Sequence, residues 1–447
     1  MAESRRKRPA MLAGGVLTVA ALAGGVLLPG REAAAESAER PPTGAAPRSA
    51  TGSDAGPSDA GPSDADGEVR VARRLVLGTP ATPKNGALSL RAQPPGVPLA
   101  DDHPLARDGA PRVLRATSTG VRFAAVGVSW RRDPRLGEVS VAVRTRSRKG
   151  TAWSDWTTAA YHPGRNRLKR VGPGVLWTGD ADTLDLVLTS ISGPQPTDVT
   201  VDLIDPGTAS IDTANLSIGT GLFAGLPAAG RQPTSYGNGI VRIYGRTAWG
   251  ASPAHLRRAP RYAPGVKAVI LHHTATTNDY EARDVPRIIR SIYYYMSVTE
   301  RYGDIGYNAL VDKFGRIWEG RAGGLDRAVV GIHAGGFNTG TSGVALIGDH
   351  ADEQVSRAAR EAVTRFAAFK LGTNGVDPTS VQRLTGGPST RYRARTSVRV
   401  PAIAPHRETS LTACPGEDGL QILPGVRATA KSLITRYHLR AEGAART

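Results

Sequence analysis

A single cysteine, Cys414, occurs in the 447 residues of this chain, so no intrachain disulfide can hold it together. Each folded unit must therefore be stabilised by its own hydrophobic core, and the lone thiol is either a liability or a ligand. Hydrophobic residues make up 40% of the chain and charged residues 21%, an ordinary globular mixture that can supply such cores. At about 100–200 residues per domain, the length predicts two or three folded units.

The first 35 residues are typical of a cleaved export signal. Residues 4–8 read Ser-Arg-Arg-Lys-Arg, an apolar stretch runs from Ala10 to Leu28, and Ala33-Ala34-Ala35 offers small residues for cleavage. We therefore expect a secreted protein. The apolar stretch is also just long enough for an uncleaved membrane anchor, and the arginine pair leaves the twin-arginine export route open.

Composition and periodicity divide the rest of the chain into four segments. Residues 36–67 are rich in Ala, Ser, Pro, Gly and Asp, which predicts a disordered linker. Residues 68–204 alternate apolar and polar positions, which predicts a domain resembling a β-sandwich. That domain shows no cluster of catalytic residue types, and its Trp153/Trp156 and Trp130/Trp177 pairs are either core or sugar-stacking platforms. A second linker is predicted over residues 205–242.

Residues 243–440 have the pattern of an α/β domain with a central mixed β-sheet and about three helices. Strand patterns occupy 266–272, 307–312, 316–319 and 342–347. Three apolar stripes at helical spacing lie between and after them. The first follows a predicted cap at Asp284 with Pro286 in its first turn, the second ends at Gly372, and the third begins at Pro424.

Histidines and the cysteine supply a possible metal site in this half of the chain. The apolar strand at 266–273 ends in His272 and His273. The backbone at the end of a strand is rigid, so an imidazole there has little positional freedom. Farther along, His406 and Cys414 are eight positions apart. Two imidazoles and one thiolate form the ligand pattern of catalytic zinc, with the fourth position left for water. Zinc would also explain an unpaired cysteine in an exported protein.

Several ordered motifs resemble the peptidoglycan recognition protein family, which is similar to phage zinc amidases. The resemblance covers about residues 243–440. Its motifs are the strand with His272-His273-Thr274-Ala275, residues 304–308 (Asp-Ile-Gly-Tyr-Asn), residues 319–321 (Glu-Gly-Arg), residues 331–338 and 342–348, and His406 with residues 412–416 (Thr-Ala-Cys-Pro-Gly).

The resemblance implies a role for individual residues. It makes His272, His406 and Cys414 the zinc ligands and Tyr307 and Thr412 the catalytic partners. His333 and His273 are candidate substrate-binding residues, and the resemblance does not make His273 a ligand. Phage relatives carry a lysine where Thr412 stands, so oxyanion stabilisation here is expected to be weaker or shared with Tyr307.

The implied function is that of an exported zinc-dependent N-acetylmuramoyl-L-alanine amidase. Such an enzyme hydrolyses the amide between N-acetylmuramic acid and the L-alanine of the peptidoglycan stem peptide, with Zn2+ as cofactor. A non-catalytic peptidoglycan-binding module is the main alternative, although such family members typically lack the cysteine ligand. A third possibility is a wall-attached structural or adhesive factor, which would require the zinc motifs to be relics.

The expected partner is peptidoglycan, in the cell wall or outside the cell. The formal net charge of +18 attracts polyanions, so anionic wall polymers are further candidate partners, and the β-rich domain is a candidate wall-binding unit. The arginine-rich composition is equally what a high-GC genome produces without selection for binding. We expect no nucleic-acid partner, no membrane contact once the signal is cleaved, and a monomer.

Overall fold

The computed structural model describes residues 69–77, 97, 112–147, 150–161, 169–209, 212 and 232–439. The predictions for residues 1–67, an export signal and a disordered linker, lie outside this part of the chain. Within it, none of the helices combines the length and the apolar character that a membrane span needs.

The β-rich region forms one six-stranded antiparallel sheet in the order β1-β6-β2-β5-β3-β4. Its long strands β2 and β5 pair along most of their length, with register shifts in the middle. One apolar cluster extends from Leu77 on β1, at one edge of the sheet, to Tyr161 on β4, at the other edge, so one face of the sheet covers a continuous core. The predicted sandwich-like domain is confirmed. The strands are β1 (Arg70–Leu77), β2 (Arg112–Arg131), β3 (Val139–Arg146), β4 (Thr157–Tyr161), β5 (Arg170–Ser190) and β6 (Val199–Asp205).

The four tryptophans of this domain divide into core and surface. Trp130 and Trp177 are buried in apolar clusters. Trp153 is exposed and Trp156 is half-buried, and the guanidinium of Arg144 lies within 5 Å of both ring centroids, at 4.8 and 4.7 Å. Arginine therefore occupies ring surface that a stacked sugar would need.

The second domain contains a seven-stranded mixed sheet in the order β15-β9-β12-β10-β11-β8-β7, as the predicted α/β class requires. The strands are β7 (Thr234–Tyr236), β8 (Val241–Tyr244), β9 (Ala268–His273), β10 (Ala309–Val311), β11 (Ile317–Glu319), β12 (Thr341–Leu346) and β15 (Ile403–Pro405). The hairpin of β13 (Val381–Gly386) and β14 (Thr396–Pro401) forms a separate two-stranded sheet. The helices are α1 (Val285–Tyr294), α2 (Arg357–Gly372), the short α3 (Glu417–Gln421) and α4 (Leu423–Arg436).

Two local predictions in this domain need correction. Asp284 is the N-cap residue of α1, with Pro286 in the first turn as predicted, but its side chain does not cap the helix; the carboxylate instead accepts a hydrogen bond from the backbone N–H of Glu281. Tyr307 lies in the loop two residues before β10 rather than within the strand. The sheet itself begins at Thr234, inside the segment predicted as the second linker.

The two faces of the mixed sheet have different neighbours. Val269 and Leu271 of β9 pack with α2 and α4 in the largest apolar cluster of this domain. On the other face, Ala268 and Ile270 pack against the β13–β14 hairpin. Side chains alternate along a strand, so His272 projects on the same face as Ile270. The face away from α2 and α4 is therefore the one on which His272 can meet other groups.

An interdomain cluster connects the two sheets. It includes Ala125 and Trp177 from the first domain and Ile288 and Tyr295 from the second. The Tyr295 hydroxyl donates to the carbonyl oxygen of Val128 at 2.8 Å and is buried. The two domains consequently share apolar core in addition to their covalent connection.

Candidate metal centre

His272 is mounted near the end of β9, the buried strand between β12 and β15. The strand residues Ala268–Leu271 have no exposed surface, and the His272 side chain is 1% exposed. β-branched and apolar residues fill this strand because both of its faces are covered. The backbone therefore holds the His272 imidazole with little freedom.

His406 reaches His272 through the parallel pairing of β15 with β9. Pro405, the last residue of β15, pairs with Leu271, so His406 leaves the sheet at the same edge as His272. The two imidazole centroids are 4.3 Å apart. This proximity depends on strand register and could not be read from a separation of 134 residues in the sequence.

Cys414 joins the two histidines from the loop after β15. Its Sγ lies 3.7 Å from Nδ1 of His272 and accepts a hydrogen bond from the backbone N–H of His273 at 3.4 Å. The backbone N–H of Cys414 donates to Oγ1 of Thr412 at 3.2 Å. A backbone hydrogen bond from Arg407 to the Cys414 carbonyl closes the loop.

These three residues could hold a metal ion. One ligand atom from each of His272, His406 and Cys414 lies within 4.8 Å of the other two. Tetrahedral zinc with bonds of about 2.3 Å to sulfur and about 2.0 Å to nitrogen separates those atoms by about 3.5 Å. The observed 3.7 Å between Cys414 Sγ and His272 Nδ1 fits that geometry.

Burial governs the protonation of these donors. It lowers the pKa of His406 to about 4 and that of His272 well below its ordinary value, with the neighbouring histidines as further causes. Both imidazoles are consequently neutral at pH 7, as metal ligands must be. Burial raises the pKa of the Cys414 thiol to about 12, so a cation is needed to stabilise the thiolate.

His333 lies against His272. Its Nδ1 is 3.1 Å from Nε2 of His272, and the side chain is buried. A Cβ at Gly343 would approach the His333 ring to 2.4 Å, and one at Gly331 would approach it to 2.6 Å. Only glycine at both positions admits the imidazole. Burial, with the neighbouring His406 and Arg321 as further causes, lowers the pKa of His333 to about 3, so it too is neutral.

Tyr307 and Thr412 lie beside the three donors. The Tyr307 ring centroid is 5.3 Å from that of His272. Burial raises the pKa of the Tyr307 phenol, and the nearby Cys414 and Glu300 add to the effect, so the hydroxyl keeps its proton. Thr412 is half-buried, and its oxygen already accepts from the Cys414 N–H, which leaves its hydroxyl hydrogen free to donate elsewhere.

His273 points to a different set of partners. Its Nδ1 accepts from the backbone N–H of His350 at 3.2 Å and lies 3.3 Å from Asp349 Oδ1. Its backbone, rather than its ring, contacts Cys414. The structure thus brings His272, His406 and Cys414 together and leaves the His273 imidazole outside that group.

Two asparagines organise the site, although the sequence assigned them no role. Asn308 accepts from the Gly343 N–H and donates to the Val329 carbonyl, and Asn338 accepts from the N–H groups of His333 and Ala334. In the sequence, the only indication of this role was that Asn308 and Asn338 lie within motifs shared with the resembled family. Their partners are backbone groups that a sequence pattern does not reveal.

Comparison with known families now identifies the second domain. Residues 261–417 match the family model described as N-acetylmuramoyl-L-alanine amidase, and they contain all three possible metal ligands. Over these residues the C-terminal domain is similar to the type 2 amidase and peptidoglycan recognition family. Residues 88–207 match the model described as Rv3811 N-terminal galactose-binding domain-like, so a galactose-binding-like domain precedes the amidase-family domain.

Relatives of the amidase-family domain include both recognition proteins and a named amidase. The chain is 33% identical to human peptidoglycan recognition protein 3 over 27% of this chain and 33% of that protein. It is 27% identical to peptidoglycan-recognition protein LB of Drosophila melanogaster over 41% of this chain and 69% of that protein. It is 29% identical to human N-acetylmuramoyl-L-alanine amidase over 43% of this chain and 30% of that protein. These relationships support a peptidoglycan-related function, in amide hydrolysis or in binding.

Proposed function

We propose that this protein is an exported zinc-dependent N-acetylmuramoyl-L-alanine amidase. Its substrate would be the amide between N-acetylmuramic acid and the L-alanine of the peptidoglycan stem peptide. The observation that carries the proposal is the convergence of His272, His406 and Cys414, whose ligand atoms lie within 4.8 Å of one another. Secretion is proposed from the residue pattern of the first 35 positions.

The three donors would hold Zn2+ through two neutral imidazoles and one thiolate. When bound, zinc supplies Lewis-acid polarisation of the scissile carbonyl and lowers the pKa of a water molecule toward about 7. His272 would ligate through Nδ1, the nitrogen that faces Cys414, because its Nε2 is directed at His333. The open fourth position would admit water and substrate.

Tyr307 would stabilise negative charge on the carbonyl oxygen during hydrolysis. Its raised pKa keeps the phenol protonated, so it can donate a hydrogen bond to an oxyanion. Thr412 would add a second donor through its free hydroxyl hydrogen. A neutral threonine is a weaker donor than a charged lysine, so Tyr307 would carry the larger share of this stabilisation.

The test combines metal content with product release. Cys414→Ser and His272→Ala should each lose stoichiometric zinc and lose release of stem-peptide amines from purified peptidoglycan, because either change leaves two ligands. The matched control is His438→Asn, a histidine outside the site at a left-handed backbone position (φ 50°) that asparagine tolerates. Undiminished release by both site variants would reject the amidase, and wild-type binding without release would favour the non-catalytic alternative.

A further inference from the structure

The β13–β14 hairpin, residues 381–401, is an exposed basic surface. We call it the arginine hairpin. It contains no acidic residue, and across the described residues none of its arginines forms an ion pair with a carboxylate. All of these arginines are exposed: Arg383, Arg391, Arg393, Arg395 and Arg399.

Two of these arginines are directly opposed. Arg383 of β13 pairs in register with Arg399 of β14, while the neighbouring Leu384 and Val398 are buried against the main sheet. Like charges at directly opposite positions destabilise an antiparallel pair. The fold thus tolerates a repulsive pair on its exposed face, which an anion bound across both strands would relieve.

The arginine hairpin borders the metal centre on two sides. Its loop contacts the segment that carries His333, since the Gly387 N–H donates to the Gly336 carbonyl and Tyr392 packs edge-on against Phe337. The same loop contacts the segment that carries Thr412, since the Arg391 guanidinium donates to the Arg407 carbonyl. The loop end of the arginine hairpin therefore lies beside the segments that carry His333 and Thr412.

The geometry points to the arginine hairpin as a binding surface for polymeric peptidoglycan, through the carboxylates of stem peptides neighbouring the one in the active site. This inference rests on the proposed function, because the carboxylates are those of the proposed substrate. Arginine is well suited to bind carboxylates because its planar guanidinium can donate two parallel hydrogen bonds to the two carboxylate oxygens. When polymeric peptidoglycan is bound at the metal centre, its neighbouring stem peptides would lie near the arginine hairpin. This favours stem carboxylates over free anionic polymers as the ligand of the hairpin.

Binding to insoluble peptidoglycan, stripped of covalently attached phosphate polymers, tests this assignment. The parent protein and each variant in this experiment carry Cys414→Ser, so that no peptidoglycan is hydrolysed during the binding measurement. Arg383→Gln/Arg399→Gln should bind roughly 3- to 30-fold more weakly at low salt. The slope of log affinity against log salt should be shallower, since two charge contacts that salt screens are absent.

The matched control is Arg360→Gln/Arg436→Gln, which removes the same charge from exposed positions on α2 and α4, across the sheet. It should bind like the parent. The hairpin variant should unfold at the parent's temperature or above it, because a like-charge pair has been removed. Equal affinity and salt slope for the hairpin and control variants would overturn the inference, and so would a lowered unfolding temperature that accounts for the lost binding.

Two further outcomes separate this inference from its alternatives. A hairpin effect that appears only on walls retaining phosphate polymer would assign the surface to that polymer and reject stem carboxylates. If wild-type protein releases no amines while the hairpin effect on stripped peptidoglycan persists, the amidase proposal fails and the binding surface stands.

Discussion

At the scale of single residues, the metal centre depends on which nitrogen of His272 is free to ligate. An imidazole that donates through one nitrogen presents the lone pair of the other. Nδ1 of His333 lies 3.1 Å from Nε2 of His272, and Nδ1 of His272 faces Cys414. Ligation through Nδ1 would place the ring proton of His272 on Nε2, where Nδ1 of His333 can accept it. The sequence placed His333 as a substrate-binding residue, a role that stays a prediction, and the structure adds this contact with His272.

A substitution at His333 should reveal that contact. His333→Leu removes the acceptor and should weaken zinc affinity by about 10- to 100-fold, the usual effect of losing a partner of a metal-bound histidine. His333→Asn places an amide oxygen near the Nδ1 position and should restore most of the affinity. Competition with a chromophoric chelator measures both, and equal zinc affinity for all three proteins would contradict the argument.

At the scale of elements, strand register and one turn of π-helix decide how the site is supported. The parallel pairing of β15 with β9 brings His406 to His272. After α1 the chain continues as a π-helix, Tyr295–Thr299, which lodges Tyr295 against β2 of the first domain. A Cβ at Gly127 would lie 2.5 Å from the Tyr295 ring, so this glycine provides the space. The adjacent Met296 sulfur accepts from the Gly306 N–H, next to Tyr307.

Truncation of Tyr295 should therefore loosen the two domains. Tyr295→Ala is expected to cost about 3–5 kcal/mol of the free energy of unfolding, as for other buried aromatic residues. Val76→Ala, at a side chain of β1 that is 58% exposed, is the control and should have little effect. Thermal unfolding together with limited proteolysis measures the change. Equal unfolding temperatures and cleavage patterns for the two variants would show that Tyr295 does not couple the domains.

At the scale of the whole molecule, the first domain is a structural partner of the second. Trp177 and Ala125 share a core with Ile288 and Tyr295, and Arg290 donates to the Pro206 carbonyl and pairs with Asp212. The sequence suggested a separable wall-binding unit behind a linker at 205–242. A wall-binding role stays a prediction, and we expect removal of this domain to destabilise the second one.

Deletion of residues 68–204 should expose the α1 side of the interdomain cluster. We expect a chain without them to unfold about 10 °C lower, since a loss of a few kcal/mol shifts the midpoint by about 2–4 °C per kcal/mol in domains of this size. Hydrolysis of soluble peptidoglycan fragments should fall with the loss of folded protein. An unchanged unfolding temperature would mean that the domains are independent after all.

The sequence by itself determined the element types and the chemistry of the donors. Apolar periodicity located β9, α1, α2 and α4 within a few residues because each buries a continuous face. A lone cysteine and a histidine doublet at a strand end indicated a metal site, because metal binding explains an unpaired thiol in a chain that is predicted to be exported.

Tertiary structure alone decided which donors meet and what surrounds them. The register that aligns Pro405 with Leu271, the glycines that admit His333, and the shared interdomain core all depend on contacts between distant segments. Such contacts depend on packing in three dimensions, whereas a sequence pattern reports only how each segment divides its own surface between core and solvent. For the same reason, the sequence did not reveal that Arg383 and Arg399 lie opposite each other, because that follows from the pairing of β13 with β14.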